Sequence, residues 1–289
     1  MTEEVLVIDI GGTKTNVSFV TSANSEIKIL SSDIFPTHLN PEFQIQNIAK
    51  IYLEKSKKIS QMSLSLPGLW NEKGTLCESL NLKNWIDYPF ITNLANTLNI
   101  KDYRWETDVI CGALGECYAH SDDMSLLYLN LGTGIGGALI KDRKPFKSNS
   151  NLTLRIQKLL SPEQDKLSSA VDLLSGASII KETQHNSPEK LFADYKKGDI
   201  EAFEIISRAQ LQLASWLINL FYLFAPDLIV LNGGLTYDWE VLCEEGIDIA
   251  NEELNNQIKI LPSKLKEMAP IYGAYLNHKN IFISEAPNK

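Results

Sequence analysis

"VLVIDIGGTKTNVSFV", residues 5–20, is the stretch from which the fold is read. Val5 to Ile10 is a run of branched apolar residues carrying one carboxylate, Asp9, near its end, the pattern of a buried strand. Gly11 and Gly12 break the run, and Thr13, Lys14, Thr15 and Asn16 lead back into apolar sequence at Val17 to Val20. In a P-loop or dinucleotide site the glycines would open a helix whose N-terminus faces phosphate. Here the chain returns as a second strand, so the glycines form the tip of a hairpin. That tip offers unhindered backbone N–H groups, the Thr13 hydroxyl and the Lys14 ammonium, a cradle suited to phosphate oxygens. Asp9 fits such a site if a magnesium ion, keeping several of its waters, lies between carboxylate and phosphate. Taken alone, the same residues also make an ordinary tight hairpin with a solvated lysine.

Bulk properties narrow the classes. The chain has 289 residues, enough for one large or two ordinary domains, with 44% hydrophobic and 22% charged residues. A net charge of -9 opposes nucleic-acid binding, which needs a basic face. "MTEEVLVID" lacks the pattern of a signal peptide, and "AQLQLASWLINLFYLFA" (209–225) is short for a membrane span and carries Gln210, Gln212 and Asn219. The latter is expected as a helix buried between layers, and the protein is expected in the cytoplasm without a membrane partner. Cys77, Cys111, Cys117 and Cys243 form no CxxC pair, and no histidine stands at ligand spacing from them, so neither disulfide nor structural zinc is expected.

Farther along, "EIKILSSDIF" reads as a third strand, and Asn40-Pro41 begin a helix as N-cap and first residue. "QMSLSLPGLW" is a strand running into a Pro-Gly turn, followed by the short extended piece "TLCESLNLKNW". "FITNLANTLNI" is helical, "YRWETD" a strand and "VICGALGECYAHS" a helix, which together give a mixed sheet with covering helices. "SLLYLNLGTGIGGALIKDRKPF" then repeats strand, glycine turn, strand, as a duplicated domain would. "LSSAVDLLSGASIIKE", "SPEKLFADYKKG" and "IEAFEIISRAQLQLASWLINLFYLFA" read as helices, "DLIVLNGG" as a buried strand, and "YDWEVLCEEGIDIANEEL" and "LPSKLKEMAPIYGAYLNHK" as closing helices.

Three glycine turns thus stand at strand ends: Gly11-Gly12, Gly132-Thr133-Gly134 and Gly233-Gly234. Their order and separation resemble the two phosphate motifs and the adenosine motif of the actin, chaperone-ATPase and sugar-kinase fold. Within it, "SLPGLW", "NLKNW", "ETDVICGALGE" and "APIYGAYL" resemble segments of the ROK family of repressors, open reading frames and sugar kinases. The resemblance implies an α/β protein of two ribonuclease-H-like domains, each a mixed sheet flanked by helices, with an interdomain cleft. Residues 1–115 with a C-terminal helix at about 265–279 would form the smaller domain, and residues 116–264 the larger, more helical one.

The same resemblance implies an ATP-dependent sugar kinase of glucokinase type, acting on a hexose or amino-hexose. ATP would contact Gly11, Gly12, Thr13, Lys14, Gly132, Thr133, Gly134, Gly233 and Gly234, with magnesium on the side of Asp9 through water. Asp108 falls on the catalytic aspartate, where a carboxylate can accept the proton of the attacking hydroxyl, and the helix N-terminus there would favour its ionised form. Gly68, Asn81, Thr107 and Asp108 would form the sugar site, while Glu116 is left facing solvent. Thr107 stands where the family carries asparagine. The family's GExGH sugar clamp and cysteine-rich zinc loop are replaced by "SNSNLTLRIQKLLSPEQDKLSSAVDLLSG", with Arg155 and Lys158 at the expected Glu and His positions and Val171 at a later glutamate. Zinc is therefore not expected. A sugar or nucleotide sensor on the same fold stays open as the alternative. The small-molecule sugar is the expected partner, and a homodimer, common in the family, is allowed.

Overall fold

The computed structural model describes residues 3–24, 26–55, 59–120, 124–147, 153–163, 166–181 and 183–280. It divides into two compact units, Met1–Gly115 with Met268–Lys289, and Glu116–Glu267. The first is built on β1 (Val5–Ile10), β2 (Lys14–Ala23), β3 (Glu26–Pro36), α1 (Pro41–Lys55), β4 (Gln61–Leu66), the short pair β5 (Leu69–Trp70) and β6 (Leu76–Glu78), α2 (Phe90–Leu98) and β7 (Asp102–Thr107). Its main sheet runs β3-β2-β1-β4-β7. β2 is antiparallel to both neighbours, whereas β1, β4 and β7 are mutually parallel.

The near-continuous apolar run of β1 follows from burial on both faces. Leu6, Ile8 and Ile10 join Ile45 and Ile48 of α1 and Leu94 of α2 in one core. The opposite face is met by the C-terminal helix: the Ser63 hydroxyl on β4 donates to the carbonyl of Ala274 at 2.6 Å. Side-chain alternation sends Val5, Val7 and Asp9 to this second face, away from the larger core. Asn40 caps α1 as expected, its Oδ1 accepting from the N–H groups of Glu42 and Phe43 at 2.8 and 3.2 Å.

α3 (Asp108–His120) leads into the second unit, with β8 (Leu126–Leu131), β9 (Ile135–Lys141), β10 (Lys144–Pro145), β11 (Leu160–Glu163) and β12 (Lys166–Ser169). Then come α4 (Ala170–Leu174), α5 (Gly176–Ile179), α6 (Pro188–Lys196), α7 (Ile200–Phe224), β13 (Leu228–Asn232), α8 (Trp239–Glu253) and β14 (Ile260–Pro262), before α9 (Ala269–Lys279) returns to the first unit. Its sheet order, β10-β9-β8-β13-β14, has the same sequence of antiparallel and parallel neighbours as the first. The repeat hinted at by two glycine hairpins is thus a repeat of topology. Leu127, Leu129 and Leu131 of β8 pack with Leu213, Leu217 and Leu220 of α7 and with Val241 and Ile247 of α8.

Three expectations change. "LSSAVDLLSGASIIKE" is not one helix: β12 ends at Ser169, and α4 and α5 are separated at Ser175, whose backbone is extended. The break lets the Gly176 N–H donate to the Gly132 carbonyl at 2.8 Å, a bond an unbroken helix would not aim there. "LPSKLKEM" is not helical throughout; it contributes the sheet's last strand β14 and a single 3-10 turn, and the helix begins at Ala269. α7 is not buried between layers, because Leu211, Tyr222 and Leu223 lie exposed opposite its buried stripe. No helix among the described residues is long and apolar enough to cross a membrane. None of the four cysteines, all among the described residues, forms a disulfide.

Candidate active site

In the first unit, strand register assembles a row. Asp9 on β1 is the partner of Ser65 on β4, and Ser65 is the partner of Glu106 on β7, all near the C-terminal ends of parallel strands. Such strand ends are where open α/β sheets bind ligands. The fully buried Ser65 hydroxyl donates to Asp9 Oδ1 at 2.6 Å. Two residues past the row, Asp108 opens α3 and accepts from the Val109 N–H at 2.9 Å.

Asp9 and Asp108 are close enough that their charges interact. Burial pushes Asp9 up to about 6, against the lowering effects of the Ser65 hydrogen bond and the Lys14 charge. Burial, reinforced by the Asp9 charge, pushes Asp108 up to about 7, and its backbone hydrogen bonds offset only part of this. The helix end does favour the ionised form of Asp108, through the Val109 N–H, but desolvation and like charge outweigh it. These values belong to an interacting pair, which titrates as a unit.

The glycine turn beside the pair is closed by the Gly11 N–H donating to the Lys14 carbonyl at 2.8 Å. Beneath it runs a chain of side chains that the sequence did not announce. Gln44 Nε2 donates to Thr15 Oγ1 at 2.7 Å, the Thr15 and Thr37 hydroxyls are 2.9 Å apart, and Thr37 Oγ1 donates to the Gly11 carbonyl at 2.8 Å. Because the Thr37 proton goes to Gly11, the Thr15 hydroxyl is the donor to Thr37. Gln44 Oε1 is itself engaged by the His38 N–H at 2.8 Å.

Of the expected sugar residues of this unit, Asn81 meets the turn. The Asn81 side chain lies against Gly12, where a Cβ would overlap its amide. Gly68, at φ +89°, lies against the Glu78 carbonyl and Ser79 on the segment leading to Asn81. Thr107 Oγ1 is buried without a hydrogen-bond partner. Thr13 and Lys14 are exposed at the tip.

In the second unit, the Gly132 N–H donates to the Gly134 carbonyl at 2.9 Å, closing the second turn, with Thr133 exposed. Gly233 follows β13 at φ +101° with its Cα against Leu131, so that a Cβ would overlap the Leu131 carbonyl. Around Gly134 and Gly234 there is open space, no atom lying within 4 Å of where a Cβ would be. The second unit therefore gathers Gly132, Gly134, Gly176 and Gly233, of which Gly176 was missed as a neighbour of the turn. The signal for it was the Ser-Gly step after "VDLL", read as part of a helix.

Glu116 does not face solvent. It is fully buried, and its carboxylate accepts from Ser263 Oγ at 2.5 Å and from the N–H groups of Lys264 and Leu265 at 3.1 and 2.9 Å. His120 Nε2 stands 3.3 Å from its other face. It therefore shapes the loop after β14.

No group of three or more His, Cys, Asp or Glu side chains that could hold a metal occurs among the described residues. The donor chemistry at Asp9 nevertheless suits magnesium, which is commonly held by one or two carboxylates, waters and substrate phosphates instead of a protein cage. Two neighbouring half-buried carboxylates, both pushed toward their protonated forms, are a place where a divalent cation would relieve repulsion.

Comparison with known proteins places these features. The model of the ROK family matches residues 5–151 and 170–280. The unmatched residues 152–169 fall inside the segment where the sequence departs from the family's sugar clamp and zinc loop. An uncharacterized protein of Clostridium perfringens is 33% identical over 187 residues, spanning 61% of this chain and 63% of that protein. The N-acetyl-D-glucosamine kinase of Vibrio parahaemolyticus is 25% identical over 264 residues, covering 82% of this chain and 86% of the relative. Among solved structures, a ROK family glucokinase from Streptomyces griseus, in complex with glucose and AMPPNP, superposes with a TM-score of 0.73 at 17% identity, covering 94% of this chain and 97% of that one. At that identity the likeness is one of fold, the two-domain α/β fold shared with actin and hexokinase.

Proposed function

We propose that this chain, which belongs to the ROK family, is an ATP-dependent sugar kinase transferring the γ-phosphoryl group to a hydroxyl of a hexose or amino-hexose. The observation that carries the reading is the Asp9–Asp108 carboxylate pair beside a glycine turn on which Asn81 is seated. The relatives support it: one is named an N-acetyl-D-glucosamine kinase, and the Streptomyces griseus structure holds glucose with an ATP analogue.

In this reading Asp108 orients the acceptor hydroxyl and takes its proton as the phosphoryl group moves. With its carboxyl pushed up to about 7, Asp108 is a stronger proton acceptor than an ordinary aspartate, and matched to neutral pH. Asn81, with both a donor and an acceptor on its amide, serves sugar hydroxyls. The backbone of Gly11 to Lys14 and the Lys14 ammonium receive phosphate oxygens, and we assign the turns at Gly132–Gly134 and Gly233–Gly234 to nucleotide binding in their own unit. Magnesium, when bound with it, would neutralise phosphate charge, and Asp9 is the residue that would hold it through water.

The test is ADP release from Mg-ATP across hexoses, amino-hexoses and their N-acetylated forms. At least one sugar should stimulate turnover. Asp108→Asn should lower kcat about 10²–10⁴-fold, the range for a lost general base. The wild-type kcat/KM should fall as pH drops through about 7 to 6, because protonated Asp108 cannot accept a proton. If ATP binds but no sugar on a broad panel raises turnover, the sensor reading replaces the kinase; residues 152–169, outside the family match, are the observation in its favour. Undiminished activity in Asp108→Asn would instead refute the site assignment.

A further inference from the structure

We propose that Ser65 is a positioning residue of this site, its hydroxyl fixing the Asp9 carboxylate in the orientation that receives the nucleotide-bound cation. The inference rests on the kinase reading above and adds a residue to it.

Ser65 is fully buried in the central parallel strand of the first sheet, directly between Asp9 and Glu106 in register. A buried serine among strands of Leu, Ile and Val is costly unless its hydroxyl is satisfied, and a hydrophobic residue would pack there at no such cost. Its hydroxyl is satisfied by Asp9 Oδ1 at 2.6 Å, a short bond to an acceptor that carries charge when ionised. A hydroxyl has one proton to give. That proton is committed to Asp9.

The consequence is pre-organisation. With Oδ1 held, the Asp9 carboxylate cannot swing about its last torsion, so less ordering remains when the cation arrives. Partners of this kind, which do not touch the metal themselves, typically change affinity about 10–100-fold when removed.

The experiment measures binding of ADP by calorimetry with and without Mg2+, in wild type, Ser65→Ala and Ser65→Cys, alongside thermal melts. Ser65→Ala removes the donor; Ser65→Cys keeps a side chain in its place but weakens the donor. Both should reduce the Mg2+-dependent gain in ADP affinity about tenfold, with metal-free ADP affinity within about twofold of wild type. In turnover, the Mg2+ concentration for half-activation should rise while KM for the sugar stays put.

A folded Ser65→Ala or Ser65→Cys with an unchanged Mg2+ dependence overturns the proposal. So does an equal loss of metal-free and Mg2+-bound affinity, which would make Ser65 a packing residue only. Should wild type itself show no Mg2+-dependent ADP binding, the kinase reading fails with it, an outcome distinct from the other two.

Discussion

The turn at Gly11–Lys14 and the turn at Gly132–Gly134 occupy equivalent places in two sheets of identical strand order, yet they are held by different means. The first is braced by side chains: Gln44, Thr15 and Thr37 relay to the Gly11 carbonyl, Ser65 holds Asp9, and Asn81 lies against Gly12. The second is braced by backbone: the Gly176 N–H donates to the Gly132 carbonyl, and Gly233 lies flat on Leu131. The difference follows from what each turn carries. The first has a half-buried carboxylate, which needs fixed hydrogen-bond donors around it. The second has no charged residue between Leu131 and Ile135, and its assets are exposed backbone groups that close packing of glycine leaves accessible. A site braced by side chains is broken by deleting polar groups, and one braced by backbone is broken by adding a carbon.

The sharpest way to break this contrast is Gly233→Ala. At φ +101° and ψ 165° Gly233 occupies a region essentially reserved for glycine, and its Cβ would overlap the Leu131 carbonyl and backbone. Leu131 cannot give way, since the overlap is with the backbone of the central strand β8. Strain and overlap together should cost about 3 kcal/mol or more, so chemical denaturation should show the variant strongly destabilised. Gly12→Ala is the matched control in the other unit. Its Cβ would meet the Asn81 side chain up to its Cβ rather than strand backbone, so Asn81 must shift; the variant should lose less stability than Gly233→Ala and should lose sugar affinity. Equal stabilities for the two variants would remove the distinction between the turns.

The two turns also differ in how far their sequence reveals them. For the first, "DIGGTKT" displays acid, glycines and lysine in one hairpin, because strand, turn and strand are contiguous and their ligands local. What it cannot display is Ser65, Gln44 and Thr37, which are brought in by strand pairing and by a helix. The second turn was legible as glycine spacing, but Gly176 reaches it only because the chain breaks at Ser175, where the helical period of "AVDLLSGASII" points to continuity. β14 was lost for a related reason. Three residues of strand before a strongly helical segment carry too little periodicity of their own, and only pairing with β13 defines them. Glu116 was misplaced because its partners are loop N–H groups about 150 positions away, far outside any window of local pattern.

A smaller effect tests the side-chain brace. Gln44→Met keeps the length and apolar bulk of a fully buried residue but removes the donor to Thr15 and the acceptor for the His38 N–H. Leaving those groups unpaired should cost about 1–3 kcal/mol. The turn then loses the relay that orients the Thr37 hydroxyl onto Gly11, so ATP affinity should fall a few-fold beyond any change in stability. Calorimetric titration with ATP at a temperature where the variant is fully folded separates the two. Wild-type ATP affinity in a destabilised Gln44→Met would show that the chain supports the fold and not the turn.

The smallest expected change in stability comes from Gly134→Ala, and it bears most directly on what the second turn does. No atom lies within 4 Å of the added carbon, and Gly134 is not among the glycines with a left-handed backbone. Alanine should therefore fit, and its narrower unfolded ensemble can even add about 0.4–1 kcal/mol. On stability alone, nothing favours glycine at this position. If the open space is where nucleotide phosphate approaches the backbone, the methyl group fills it, and ATP affinity should drop while the melting temperature holds or rises slightly. That opposition of signs is what a binding role predicts and a structural role does not. A Gly134→Ala protein that melts like wild type and binds ATP like wild type would leave the open space at the second turn without a ligand, and nucleotide contact there would have to be reassigned to other residues.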